Sequence, residues 1–207
     1  FSSELKENAV ACVRSFQSGD KINVVPGRAS MIVDGVAEDV IRAAAEKTEG
    51  ATGVSFRVTA LADGGVQVDA KGQAAHASTP EEGKNALTAT LQLIAELPLE
   101  QSKGKEALLG LHAMFPYEDT CGKTVGIYRE NEESGAVTVC FSIMDYTKTH
   151  LHAAFDARLP IGCNEENTKL PVKAAAEKYG MELEDLPLNP PHCVPGDSWF
   201  VQTLLGS

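Results

Sequence analysis

Hydrophobic and polar positions alternate most cleanly between Val54 and Lys71. Val54, Phe56, Val58 and Ala60 fall on one side of an extended chain, and Ser55, Arg57 and Thr59 on the other. Asp63-Gly64-Gly65 supplies a turn. Val66, Val68 and Ala70 then resume the apolar set against Gln67, Asp69 and Lys71, which predicts a β-hairpin with one buried and one wet face. The period changes on either side of this hairpin. Over 36–49, Val36, Val40, Ile41, Ala44 and Ala45 line one side of a helix, with Gly50 at its C-terminal end. Over 80–97, Leu87, Leu91 and Ile94 mark a second helix, ended by Pro98. Thr79 reads as its N-cap, Pro80 as its first residue and Glu82 as the partner in a capping box. Upstream, Ile22–Pro26 and Ala29–Val33 read as strand closed by Asp34-Gly35, and 1–18 as a strand or irregular lead-in.

The second half repeats this style without evident sequence identity. Residues 99–104 form a boundary, followed by a short helix at 105–115. Strands are expected at 123–129 and 136–144, separated by the acidic turn 130–135, and again at 150–159. In the last of these, Leu151, Ala153, Phe155, Ala157 and Leu159 share the apolar face, while His150, His152, Ala154, Asp156 and Arg158 share the other. A helix over 164–178, a short strand near 181–187 and a final helix from Asp197 or Ser198 complete the chain. The order strand, helix, strand, strand, helix over 21–97 implies an α+β fold with helices on one face of an antiparallel sheet. The expectation is two consecutive ferredoxin-like units, 21–98 and 117–196, joined by a connector at 99–116, with a lead-in strand at 1–20 and an exit helix at 197–207.

Composition narrows the function classes. The chain has 207 residues and a net charge of −11, with no basic stripe to replace counterions on phosphates, so neither nucleic acid nor an anionic membrane surface is an expected partner. No apolar run reaches the ~18 residues of a membrane-spanning helix. The five cysteines, Cys12, Cys121, Cys140, Cys163 and Cys193, are scattered singly, which points to reduced thiols and a cytoplasmic protein. The chain opens on Phe1 rather than Met and closes on Leu204-Leu205-Gly206-Ser207 in a predicted helix, as a piece of a longer protein would. His150-Leu151-His152 puts two imidazoles on one strand face, but no carboxylate or cysteine motif beside them completes a metal site.

The most distinctive stretch is Gly72-Gln73-Ala74-Ala75-His76-Ala77-Ser78-Thr79-Pro80-Glu81-Glu82-Gly83-Lys84-Asn85-Ala86. It sets one histidine among small residues between a strand and a helix, so a ligand can reach the imidazole. The stretch resembles the Gly-x-x-Ala-His-Ala/Ser-x-x-Pro-x-x-Gly-x-Asn-Ala segment of the M20 metallopeptidases. Two weaker matches accompany it. Asn23-Val24-Val25-Pro26 resembles the element that opens a lid strand in that family, and Asp156-Ala157-Arg158-Leu159-Pro160 resembles its (Asn/Asp)-x-Arg-x-Pro strand. A looser match covers His192-Cys193-Val194-Pro195-Gly196-Asp197-Ser198, which looks like the exit from the lid in the dipeptidase branch.

The resemblance implies the lid, or dimerisation-like, part of a PepV-type dipeptidase that hydrolyses dipeptides or short peptides. His76 would stabilise the oxyanion, Arg158 would hold the substrate carboxylate, and Asn23 would orient a polar group. Zinc would belong to the full-length enzyme, on ligands of a catalytic domain that this chain lacks; the fragment would bind no metal and be inactive alone. Arginine suits its role, because its planar fork pairs with a carboxylate through two parallel bonds. Two other readings stay open: a stand-alone α+β module that binds an amino acid at the Arg158 face, and a dimerisation module that pairs through a sheet edge.

Overall fold

The structure, a computed structural model, describes residues 1–184. The first half supplies β1 (Ser2–Glu4), β2 (Cys12–Ser18), β3 (Arg28–Asp34), α1 (Glu38–Thr52), β4 (Ser55–Ala60), β5 (Val66–Lys71) and α2 (Ala86–Glu96). After α3 (Lys103–Met114) come a minor hairpin of β6 (Glu130–Asn131) and β7 (Gly135–Ala136), then β8 (Thr138–Thr147), β9 (His150–Arg158) and α4 (Leu170–Lys178). The fold is α+β, as the element order implied. The exit helix, Cys193 and the match around His192 lie outside the described residues.

The strands of the expected two units do not form two sheets. They lie in one antiparallel sheet of seven strands, in the order β1-β9-β8-β2-β3-β5-β4. The junction is β2, which falls in the stretch read as a lead-in. Phe16 stands opposite Met31 on one side and opposite Tyr146 on the other, and all three are fully buried. An apolar side chain shared between both neighbours joins the two halves in one core, because burying it on one side alone would leave the other edge of β2 unpaired.

Side-chain alternation divides this sheet into a core face and an outer face. Phe16, Met31, Val68, Tyr146 and Leu151 point to the core with Leu87, Leu91, Leu108 and Leu111 of α2 and α3. The outer face carries a polar row in register across six strands: Arg57, Asp69, Ser30, Gln17, Asp145 and His152. On β9 the division is the one read from the sequence. Leu151 and Ala153 are buried, while His150, His152 and Arg158 are exposed.

Three boundaries move, each for a local reason. α1 continues through Gly50 to Thr52 and is capped at Gly53, whose φ of 66° is the left-handed conformation that glycine tolerates and whose N–H donates to the Glu49 carbonyl at 2.8 Å. The second helix starts at Ala86 rather than Pro80. Pro80–Glu82 is only a short 3₁₀ turn, and Gly83 is extended. Thr79 caps no backbone amide and instead donates its hydroxyl to Glu82 Oε2 at 3.2 Å. The expected strand at 123–129 is a looped turn. The Asp119 carboxylate accepts from the amides of Cys121, Lys123 and Thr124 and winds the chain around itself.

Candidate functional site

The stretch from Gly72 to Asn85 folds as a closed loop. Gln73 and Lys84 exchange two backbone hydrogen bonds, N to O at 3.0 and 2.9 Å. Gly72 makes this closure possible, since a Cβ there would lie 2.0 Å from the Lys84 carbonyl oxygen. Gly83 is less tightly placed, where a Cβ would lie 2.9 Å from a Val25 methyl group and 3.0 Å from the Gln73 carbonyl oxygen. Close backbone approach thus explains Gly72, and close packing explains Gly83.

The weaker motif pairs with the stronger one. Val25 N–H donates to the Ala75 carbonyl at 2.9 Å, and Ala77 N–H donates to the Asn23 carbonyl at 3.1 Å. Val24 and His76 stand opposite each other as an antiparallel bridge. Asn23-Val24-Val25-Pro26 is thus not a strand of the main sheet, as the sequence suggested, but the partner of the histidine loop. Its pairing uses the Asn23 backbone and leaves the Asn23 side chain exposed.

The paired loops fold over the outer face at β8. Cys140 faces outward, opposite Asp156, yet is 1% exposed, because Val25 and Ala77 cover it in a small apolar cluster apart from the main core. Burial pushes the Cys140 thiol pKa up, against a hydrogen bond from Ser142. One step along the strand, Thr138 stands opposite Arg158, and its hydroxyl reaches the Ala77 carbonyl at 3.5 Å. The structure therefore brings the His76 loop, the Asn23 segment and the Arg158 strand end together on one face.

Arg158 is half exposed and anchored by Asp156, whose Oδ2 accepts from Nε at 3.0 Å and from Nη2 at 2.8 Å. Among the described residues, no other partner holds the remaining guanidinium N–H groups. His76 is exposed, and its Nδ1 lies 3.1 Å from the Ser78 amide nitrogen and 2.7 Å from Ser78 Oγ. A broad groove runs along the outer face nearby, floored by Gln17, Ser30 and Asp145 and walled by Val24 and Ala74. Asn23 and His76 adjoin this groove through Val24, the chain neighbour of one and the bridge partner of the other, while Arg158 lies farther along β9, and none of the three lines the groove.

Sequence reasoning overlooked Asn85 as a structural hub. Its Oδ1 accepts from the amides of Leu87 and Thr88 at 2.9 and 3.2 Å, and its Nδ2 donates to the Phe141 carbonyl at 2.8 Å. Its place directly before the run Ala86-Leu87 is the signal that identifies an N-cap. Asp156, which holds Arg158, stood in the sequence as the acidic residue of the (Asn/Asp)-x-Arg-x-Pro match, whereas Ser78, which holds His76, carried no signal of its role. Among the described residues, no three His, Cys, Asp or Glu side chains gather to hold a metal ion, and no helix is long and apolar enough to cross a membrane. Cys12, Cys121, Cys140 and Cys163 are unpaired.

Comparison with known proteins adds a second line. Residues 64–158 match the peptidase dimerisation domain. The chain is 28% identical over 201 residues to a Beta-Ala-Xaa dipeptidase of Lactobacillus delbrueckii subsp. lactis, covering 92% of this chain and 40% of that protein. It is 26% identical over 203 residues to the putative dipeptidase YtjP of Bacillus subtilis (strain 168), covering 94% of this chain and 41% of that protein. A putative dipeptidase of Staphylococcus aureus (strain USA300) is 25% identical over 195 residues, covering 92% of this chain and 40% of that protein. The chain thus spans about 40% of the length of these curated relatives.

Proposed function

We propose that this chain, which carries a peptidase dimerisation domain of the M20 family, acts as the substrate-facing lid of a longer dipeptidase. One observation carries the proposal. The histidine loop, its Asn23 partner and the Arg158 strand end meet on one face, through Ala77–Asn23 and Ala77–Thr138 contacts, although they are far apart in sequence.

In this reading the carboxylate end and the scissile carbonyl of a short peptide are addressed by different groups. Arg158, held by Asp156, offers its free N–H groups to the C-terminal carboxylate of the substrate. The His76 ring offers an N–H to the oxygen that gains negative charge as the peptide carbonyl is attacked. Donors already in place for that charge stabilise the transition state more than the ground state. Asn23, exposed beside the loop, is left to orient a polar group of the substrate.

Zinc is the metal the family resemblance implies. Among the described residues no group of side chains fits such a site, and the metal is assigned to parts of the longer enzyme outside them. The substrate class proposed is a dipeptide or short peptide with a free carboxylate, and the partner is a catalytic domain of the same polypeptide.

The test is kinetic. In the full-length enzyme, His76→Ala should lower kcat by about 10²–10³, the cost of removing one oxyanion donor, with bound metal unchanged. Loss of metal from a folded variant, or unchanged kcat, would reject the role given to His76.

A further inference from the structure

The reading of His76 as a hydrogen-bond donor needs one particular ring nitrogen to carry the proton. The two nitrogens of a neutral imidazole are distinct, and which one holds the proton is set by what the other binds. At His76 the neighbour is unambiguous. The Ser78 backbone N–H points to Nδ1 with its nitrogen 3.1 Å away, and an amide N–H can only donate. Nδ1 must therefore present its lone pair. The Ser78 hydroxyl, 2.7 Å from the same atom, then donates as well.

We infer that Ser78 is a positioning residue: its amide and its hydroxyl together hold Nδ1 of His76 as an acceptor, so that Nε2 carries the proton and faces outward as the donor. This rests on the proposed role of His76 and adds the device that prepares it. The surrounding backbone holds the device in place. Residues on both sides of Ser78 are pinned, Ala77 by its bond to Asn23 and Thr79 by its N–H donating to the His76 carbonyl at 3.1 Å. The turn that returns Ser78 to the ring is therefore built into the loop and does not wait for a ligand. No proton is transferred at Nδ1. The ring enters the reaction with its donor already formed, which avoids reorganisation when the oxyanion appears.

The inference is tested first in the 207-residue chain, without reference to catalysis. In long-range ¹H–¹⁵N spectra at a pH where the ring is neutral, His76 should show a bare Nδ1 and a protonated Nε2. A scalar coupling across the hydrogen bond should link the Ser78 amide nitrogen to Nδ1. Ser78→Ala keeps the amide but loses the hydroxyl, and should shift the Nδ1 resonance and weaken the tautomer preference; Ser78→Thr should restore both. A protonated Nδ1 in the parent chain, or an Nδ1 resonance unmoved by Ser78→Ala, overturns the inference.

The second arm uses the full-length enzyme. Ser78→Ala should reduce kcat about five-fold with KM unchanged, as expected for one neutral hydrogen bond, and Ser78→Thr should recover most of it. If the spectra behave as stated but neither Ser78→Ala nor His76→Ala lowers kcat, the positioning device stands and the oxyanion role of His76 falls. If the spectra fail, the device falls whatever the kinetics show.

Discussion

The side-chain amide of Asn85 donates to the carbonyl of Phe141 at 2.8 Å, across 56 positions of sequence. The same side chain caps α2 through the amides of Leu87 and Thr88. One residue thus starts the helix, ends the histidine loop and fastens both to β8 beside its bulge between Phe141 and Ile143. Asn85→Ala should cost about 2 kcal/mol, roughly 1 for the cap and roughly 1 for the second bond. Asn85→Ser keeps a capping oxygen and loses the donor to Phe141 without setting a second oxygen against that carbonyl, so it should cost about half as much. Urea denaturation with an unchanged m-value measures both.

Gly72→Ala tests the loop closure separately. The new methyl group would meet the Lys84 carbonyl oxygen at 2.0 Å, and backbone has no easy way to give. A destabilisation of about 3 kcal/mol is expected, at the upper end for overpacking. Amide exchange at Gln73 and Lys84, whose mutual bonds would open, should rise well before that at Met31 or Tyr146 in the sheet.

Arg158→Lys distinguishes a planar fork from a point charge. The lysine keeps the charge but cannot be held through both Nε and Nη2 by Asp156 while offering further N–H groups to a ligand. In the full-length enzyme, KM for a peptide with a free carboxylate should rise about ten-fold, near the ~1.5 kcal/mol of a charge-assisted bond. A C-terminally amidated peptide should show little difference between the two enzymes.

A pH dependence follows from the clamp at the β2–β3 end of the sheet. Arg14 binds Asp34 through Nε and Nη2 and reaches Asp63 through Nη1, and Lys148 sits 2.9 Å from Asp34. The Arg14 hydrogen bonds, with help from Lys148, hold the Asp34 pKa below the ordinary 3.8. A depressed folded pKa contributes stability that is fully present above the unfolded value and lost as pH falls through the folded one. Acid unfolding should therefore steepen below about pH 4, and Asp34→Asn should flatten that limb while lowering stability at neutral pH. Thermal melts between pH 2 and 7 would read it.

Much of the fold was legible because it rests on local patterns. The Val54–Lys71 hairpin and the two faces of β9 follow from period-two alternation alone. The long-range pairing was not legible. Nothing in Cys12–Ser18 distinguishes a central strand from a lead-in, because what makes it central is that Phe16 meets Met31 and Tyr146 from opposite halves of the chain. The site shows the same split. His76 and Arg158 could be picked out as residue types, but the pairing of Asn23–Pro26 with the histidine loop depends on backbone bonds that carry no sequence code. Thr79 looked like a cap because its neighbours fit; Asn85 is the cap because Gly83 breaks the chain direction between them.

The shared strand β2 limits how the parts can move. A hinge between the halves would have to tear a hydrogen-bonded seam on one side or the other of Phe16. The segment bearing His76 and the strand end bearing Arg158 are thus fastened to one continuous sheet, and under the proposed function any closing over a peptide would pivot outside that sheet.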